Sequence, residues 1–210
     1  FTDAAGHVDV SAKLMSAVAE DFGEELRWMS SQGLLDLETR PHKGPGGFMD
    51  NLEKRRVPVI FANSGTTHGD VETLVHEGGH ALNGLFCRDL EPVAYRMPPL
   101  EFAEVASMGL EALAMEHLED VYPADEAQRA RRDSLEGMLS TFAWVATIDG
   151  FQHWIYTHPQ HTREERTAAW NTLLDDFSTG VDWSGLETER SSVWHRQLHI
   201  FQVPFYYIEY

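Results

Sequence analysis

The chain holds a single cysteine, Cys87, among 210 residues, so no disulfide can form within it. A reducing compartment, the cytoplasm, is the expectation. Long apolar runs are missing as well. The stretch "VPVIFA" at 57–62 falls far short of the roughly 20 residues that a membrane-spanning helix needs. The opening "FTDAAGHVDV" has neither the basic start nor the apolar run of a secretory leader. Basic residues are scarce: 16 Lys and Arg against 34 Asp and Glu give a net charge of −18. Such a surface repels nucleic acid and anionic membrane, and neither is expected as a partner. It favours solubility and the approach of cationic substrates. Internal repeats, low-complexity tracts and flexible linkers are also lacking. The glycine-rich "RPHKGPGGFMD" at 40–50 has no Gly-Lys-Ser/Thr ending, so it reads as a turn and not as a phosphate cradle.

Apolar content of 42% and charged content of 24% suit a folded globular chain. The length fits one domain, residues 1–210. The chain begins without methionine and stops inside the apolar-aromatic "PFYYIEY", so it reads as a piece of a longer protein. Apolar residues at three- and four-residue spacing predict a helix over 8–34. "VPVIFAN" at 57–63 predicts a short buried strand, and Asp70 a cap for the helix that runs on to about Phe86. Further helices are predicted from the prolines at 98–99 through Val121, from Asp125 towards His158, and over 162–178. The last opens on Thr162 with Glu165, a capping-box spacing. The fold class is mostly α with a minor β element.

One stretch carries chemistry. "TLVHEGGHALNGLF", Thr73–Phe86, places His76 and His80 four residues apart. On a helix that spacing puts both rings on one face, able to reach one ion at the zinc–nitrogen distance of about 2.0–2.1 Å. Glu77 stands about 100° around the helix, beside such an ion, where it can take a proton from water. A catalytic zinc needs a third protein ligand. The positions that would extend the motif to a third histidine are Asn83 and Phe86, which excludes that class. Glu101, Glu104 and Glu111 share roughly one face of the next helix, in an unusually apolar setting. Glu104 is the chosen ligand and Glu111 the hydrogen-bond partner of a ligand histidine, with Glu101 able to serve in either place. Two adjacent glycines, Gly78 and Gly79, each cost up to about 1 kcal/mol in a helix interior relative to alanine. Close packing of another backbone against the motif is the expected reason.

Taken together, "HEGGHA", "EFAEVASMGLE" and the terminal "HIFQVPFYYIEY" resemble the zinc oligopeptidases of the oligoendopeptidase F and thimet oligopeptidase family. The similarity is greatest over residues 44–111 and resumes at 195–210. It implies a mostly helical catalytic domain with one zinc on His76, His80 and Glu104 and with Glu77 as general base. It further implies an endopeptidase acting on internal bonds of short peptides. His199, Tyr207 and Tyr210 are implied to act on the reacting carbonyl, and Tyr206 to line the substrate. The competing readings are a carboxypeptidase-like zinc hydrolase and a non-catalytic binding module with a degenerate metal site. His153, His158 and His161 form a loose cluster read as packing or surface. Phe142, Trp144, Phe151 and Trp154 read as core, and Cys87 as a buried, inert thiol.

Overall fold

The first departure from the sequence periodicity comes at Ala19. The computed structural model describes residues 3–177 and 180–210. Over 8–34 it has two helices in place of one, α1 (Ala4–Val18) and α2 (Glu20–Ser31). Ala19 is extended, with φ −154° and ψ 135°, and α2 packs on α1 beyond it. No proline or glycine stands at the break, so the three- and four-residue spacing reads through it.

A three-stranded sheet follows, in the order β1-β3-β2. β1 (Leu35–Asp36) runs parallel to β3 (Val57–Phe61), with Leu35 opposite Ile60. β2 (Phe48–Leu52) runs antiparallel to β3, with Phe48 opposite Phe61 and Leu52 opposite Val57. β3 is the strand predicted from "VPVIF". β2 begins inside the segment 40–50 read as a turn, so the irregular stretch ends at Gly47.

The motif helix is α3 (His68–Cys87). Its N-cap is Thr67, and Asp70 is the third helical residue, not the cap itself. The Asp70 carboxylate reaches back and accepts from the Thr67 N–H at 2.8 Å and from the Thr67 hydroxyl at 2.6 Å. α4 (Ala103–Ala114) is shorter than the predicted helix, because single 3-10 segments at Leu100–Phe102 and Met115–Asp120 flank it. α3 packs against α1, α4 and the sheet over a core that includes Leu14, Met15, Leu26, Ile60 and Leu74, all fully buried.

His7 secures the start of α3 to α1. It is fully buried; its Nε2–H donates to the Asp70 carbonyl at 2.8 Å, which leaves Nδ1 to accept from the Ser64 hydroxyl at 2.5 Å. Burial lowers the His7 pKa, against the opposing pull of Asp70. The folded ring therefore stays neutral at a pH where the unfolded one, with a pKa of about 6.5, takes up a proton. The stabilisation is complete above about pH 6.5 and declines as pH falls towards the lower folded value. Urea midpoints at about pH 7.5 and about pH 5.5 are expected to differ more in the parent than in His7→Gln. An equal pH response in both would remove His7 as the cause.

By contact density the chain forms two units, Phe1–Arg132 and Asp133–Tyr210, and α5 (Ala124–Thr157) contributes to each. The second unit also holds α6 (Arg163–Asp176), α7 (Glu187–Ser192) and α8 (His199–Gln202). α6 starts on the predicted capping box, Glu165 accepting from the Thr162 N–H at 2.8 Å. Its expected last residue, Ser178, lies outside the described residues. The core of this unit is Ile148, Phe151, Trp170, Trp194 and Ile200. Phe151 meets Trp170 and Trp194 edge-on, with ring centres 5.0 and 5.2 Å away. Trp170 satisfies its ring N–H on the Arg190 carbonyl at 2.9 Å. Among the aromatics read as core, Phe151 is buried and Trp144 and Trp154 are half-buried, but Phe142 is exposed. Among the described residues no helix is long and apolar enough to cross a membrane.

Candidate functional site

His76 and His80 project from one face of α3, with ring centres 5.0 Å apart and planes nearly perpendicular. Glu104 comes to them from the first turn of α4. Its Oε2 lies 3.2 Å from His76 Nε2 and 3.3 Å from His80 Nε2. Four bonds of about 2.0–2.1 Å at tetrahedral angles separate neighbouring ligand atoms by about 3.3–3.4 Å, so the spacing suits one zinc-sized ion. Among the described residues these three form the one group of His, Cys, Asp or Glu whose ligand atoms lie within 4.8 Å of one another. Glu101 is exposed on the 3-10 segment before α4 and is not part of the group.

The donor set points the same way. Glu111 Oε1 lies 2.5 Å from His76 Nδ1, and a carboxylate can only accept, so that nitrogen carries the hydrogen. His76 Nε2 faces the Glu104 carboxylate, so the space between them favours a positive charge, whether a proton on the ring or a metal ion in its place. Burial opposes charge on His76, yet the carboxylates of Glu104 and Glu111, with Glu77 nearby, outweigh it and push its pKa up to about 10. The cluster is built to stabilise positive charge.

Glu104 is itself held. Ser107, fully buried and one turn on, donates its hydroxyl to Glu104 Oε2 at 2.6 Å. In the sequence Ser107 carries no signal beyond its position three residues after Glu104. Glu77 is buried, and burial pushes its carboxyl pKa up, partly offset by His76 and His80. The neighbouring Met49 backbone N–H also favours its charged form. Gly47 leaves room for this: a Cβ there would stand 3.4 Å from Glu77 Oε1 and 2.8 Å from Thr73 Cγ2. The segment read as a plain turn thus leads into the strand that braces Glu77.

The paired glycines differ. A Cβ on Gly79 would fall 2.4 Å from the Ala106 carbonyl oxygen and 2.7 Å from Ser107 Cα, inside the backbone of α4. A Cβ on Gly78 would meet the end of the Met15 side chain at 3.1 Å. Close backbone packing therefore accounts for Gly79, whereas Gly78 faces a side chain that can move.

The residues taken from the C-terminal segment gather in the second unit. His199 opens α8, with ring centres 5.9, 5.1 and 5.8 Å from Tyr206, Tyr207 and Tyr210. Tyr210 Oη is 3.3 Å from His199 Nε2, and Gln197 Nε2, a residue the sequence reading did not single out, is 2.6 Å from His199 Nδ1. His153 and His158 are exposed and His161 half-buried; the latter two lie against Trp154, and none joins a metal group among the described residues. Cys87 is half-buried at the end of α3, not fully buried as expected.

The chain is 27% identical over 191 residues to oligopeptidase PepF of Bacillus subtilis (strain 168), covering 84% of this chain and 28% of that protein. It is 25% identical over 111 residues to the chromosomal oligoendopeptidase F of Lactococcus lactis subsp. cremoris, covering 53% of this chain and 18% of that one. It thus spans well under a third of these relatives. The solved structure of PZ peptidase A with an inhibitor matches 99% of this chain and 37% of that one, with a TM-score of 0.91 and 31% identity. The family model for peptidase family M3 matches residues 15–210, and with the motif helix and its partner helix both inside that span, the chain belongs to peptidase family M3.

Proposed function

We propose that the chain carries the catalytic site of a zinc-dependent oligoendopeptidase that hydrolyses internal bonds of short peptides. His76, His80 and Glu104 hold the zinc, and Glu111 fixes the His76 ring so that Nε2 is the ligand atom. When bound, zinc supplies a Lewis acid that polarises a carbonyl and makes water nucleophilic at neutral pH. Glu77 takes a proton from the attacking water onto a carboxylate oxygen and returns it to the leaving amine. For the second unit we propose that His199 and Tyr210 donate hydrogen bonds to the peptide carbonyl as it gains charge, with Tyr207 in support and Tyr206 lining the substrate. The observation that carries the reading is the pair of 3.2 and 3.3 Å separations between Glu104 and the two histidines, with a buried Glu77 next to them in sequence.

The test is bound zinc per chain, measured on the parent, Glu104→Ala and Glu101→Ala together. The parent is expected to hold about one zinc, and Glu101→Ala the same. Glu104→Ala is expected to bind more weakly by more than the about 10–100-fold that loss of an outer partner costs. Equal zinc in the parent and Glu104→Ala would move the third ligand elsewhere and sink the assignment. Incubation with a short unstructured peptide then separates the enzymatic readings. Internal fragments fit an endopeptidase; stepwise loss of single residues from one end would make the enzyme carboxypeptidase-like.

A further inference from the structure

We propose that Trp144 and Gln197 are positioning residues that set the tautomer of His199, presenting its ring as a neutral Nε2–H donor. The proposal rests on the reading of His199 as a group that faces the peptide carbonyl. Its physical basis is a chain of hydrogen bonds within the second unit, in which each link fixes the next.

Trp144 Nε1 lies 2.9 Å from Gln197 Oε1. An indole N–H can only donate, so it must face the carbonyl oxygen of the Gln197 amide. That choice turns the amide nitrogen towards His199, where Gln197 Nε2 stands 2.6 Å from His199 Nδ1. An amide NH2 can only donate, so Nδ1 must accept and carries no hydrogen. A neutral imidazole has one ring N–H, and here it is at Nε2. Without peptide, Tyr210 Oη, 3.3 Å from that nitrogen, receives the bond and directs its own proton away from the ring; a bound carbonyl would replace it as the acceptor.

The anchor of the chain is well held. Trp144 sits edge-on to the buried Trp170 at 5.8 Å, and the Arg196 guanidinium covers its ring at 4.9 Å. Gln197 and His199 are both half-buried, on either side of Leu198. A glutamine is what the arrangement requires, because it must accept on one side and donate on the other. A glutamate of the same shape would accept on both sides and draw the ring hydrogen to Nδ1. The nitrogen facing Tyr210 would then be an acceptor, the wrong polarity for a developing oxyanion.

The experiment uses the whole chain with zinc supplied and histidine rings labelled with 15N. Long-range proton–nitrogen spectra assign the His199 tautomer in the parent, Gln197→Glu and Trp144→Phe, with His199→Ala locating the signal. The parent is expected to be protonated at Nε2, Gln197→Glu at Nδ1, and Trp144→Phe to show a mixture. Peptide kcat is expected to fall about 100-fold in Gln197→Glu, as for loss of an oxyanion donor, with KM within about threefold of the parent. A parent ring protonated at Nδ1, or the same tautomer in parent and Gln197→Glu, overturns the proposal. If Gln197→Glu does not fold, an unchanged tautomer in Trp144→Phe does so. A tautomer that switches while Gln197→Glu and His199→Ala both turn over peptide like the parent overturns instead the catalytic reading of His199 and the purpose assigned to the relay.

Discussion

Glu77→Gln is expected to bind zinc as the parent does and to cleave peptide about 10²–10⁴-fold more slowly, the range that general acid–base catalysis contributes. The two side chains have nearly the same shape, and the amide oxygen can still face the neighbouring Met49 N–H. What the amide cannot do is take a proton from water and give it back. The proposed zinc ligands are His76, His80 and Glu104, whose ligand atoms group without Glu77, so occupancy is not expected to change. The informative measurement pairs zinc content with kcat on one preparation. Turnover within a few-fold of the parent at equal zinc would mean that the proton passes through another group. Loss of both zinc and turnover would mean that Glu77 belongs to the ligand set and not beside it.

The second large effect comes from a residue that touches no ion. Gly79→Ala places a methyl group 2.4 Å from the Ala106 carbonyl oxygen, whereas ordinary contacts of this kind begin near 3.4 Å. Backbone cannot escape by changing rotamer, so α4 must shift by about 1 Å, at a typical overpacking cost of about 1–3 kcal/mol. Melting temperature should fall by roughly 2–4 °C for each kcal/mol. Glu104 lies two residues before Ala106 on that helix, and metal sites tolerate distance errors of only about 0.2 Å. Zinc affinity is therefore expected to drop sharply with all three ligands intact. Gly78→Ala is the control. It meets only the flexible end of Met15, and up to about 1 kcal/mol of gained helix propensity offsets the contact. Its stability should stay within about 1 kcal/mol of the parent, with zinc retained. If the two alanines behave alike, the contact between α3 and α4 is not what Gly79 serves.

That His76, His80 and Glu104 come together was legible because their relation is largely local. Four residues on one helix fix two rings on one face, and one more apolar helix bearing glutamates leaves few choices for a third ligand. The glycine pair could be read as close packing, though nothing in the sequence tells which partner each one meets. What braces the site was not legible. Gly47 and Met49 reach Glu77 from some 30 residues upstream, through a strand, "FMDNL", that has no apolar alternation to announce it. The break at Ala19 was hidden because neither Gly nor Pro stands at it; the glycine that lets α2 pack on α1 is Gly23, four residues on, where a Cβ would fall 2.2 Å from the Ala12 carbonyl oxygen. Gln197 attracts no attention as a residue type, and its significance comes only from what lies on each side of it.

The division of the ligands between two helices has a kinetic consequence. Two of the proposed ligands belong to α3 and one to α4, and residues 88–102 between them carry only single 3-10 turns, at Val93–Tyr95 and Leu100–Phe102. An ion held by all three closes that connection into a loop, as a crosslink would. Its escape then requires α4 to part from α3, so the exchange rate of the ion and the opening rate of that loop become one quantity. Amide hydrogen exchange along 88–114 should slow as zinc is added, while exchange in α1 and α2 changes little.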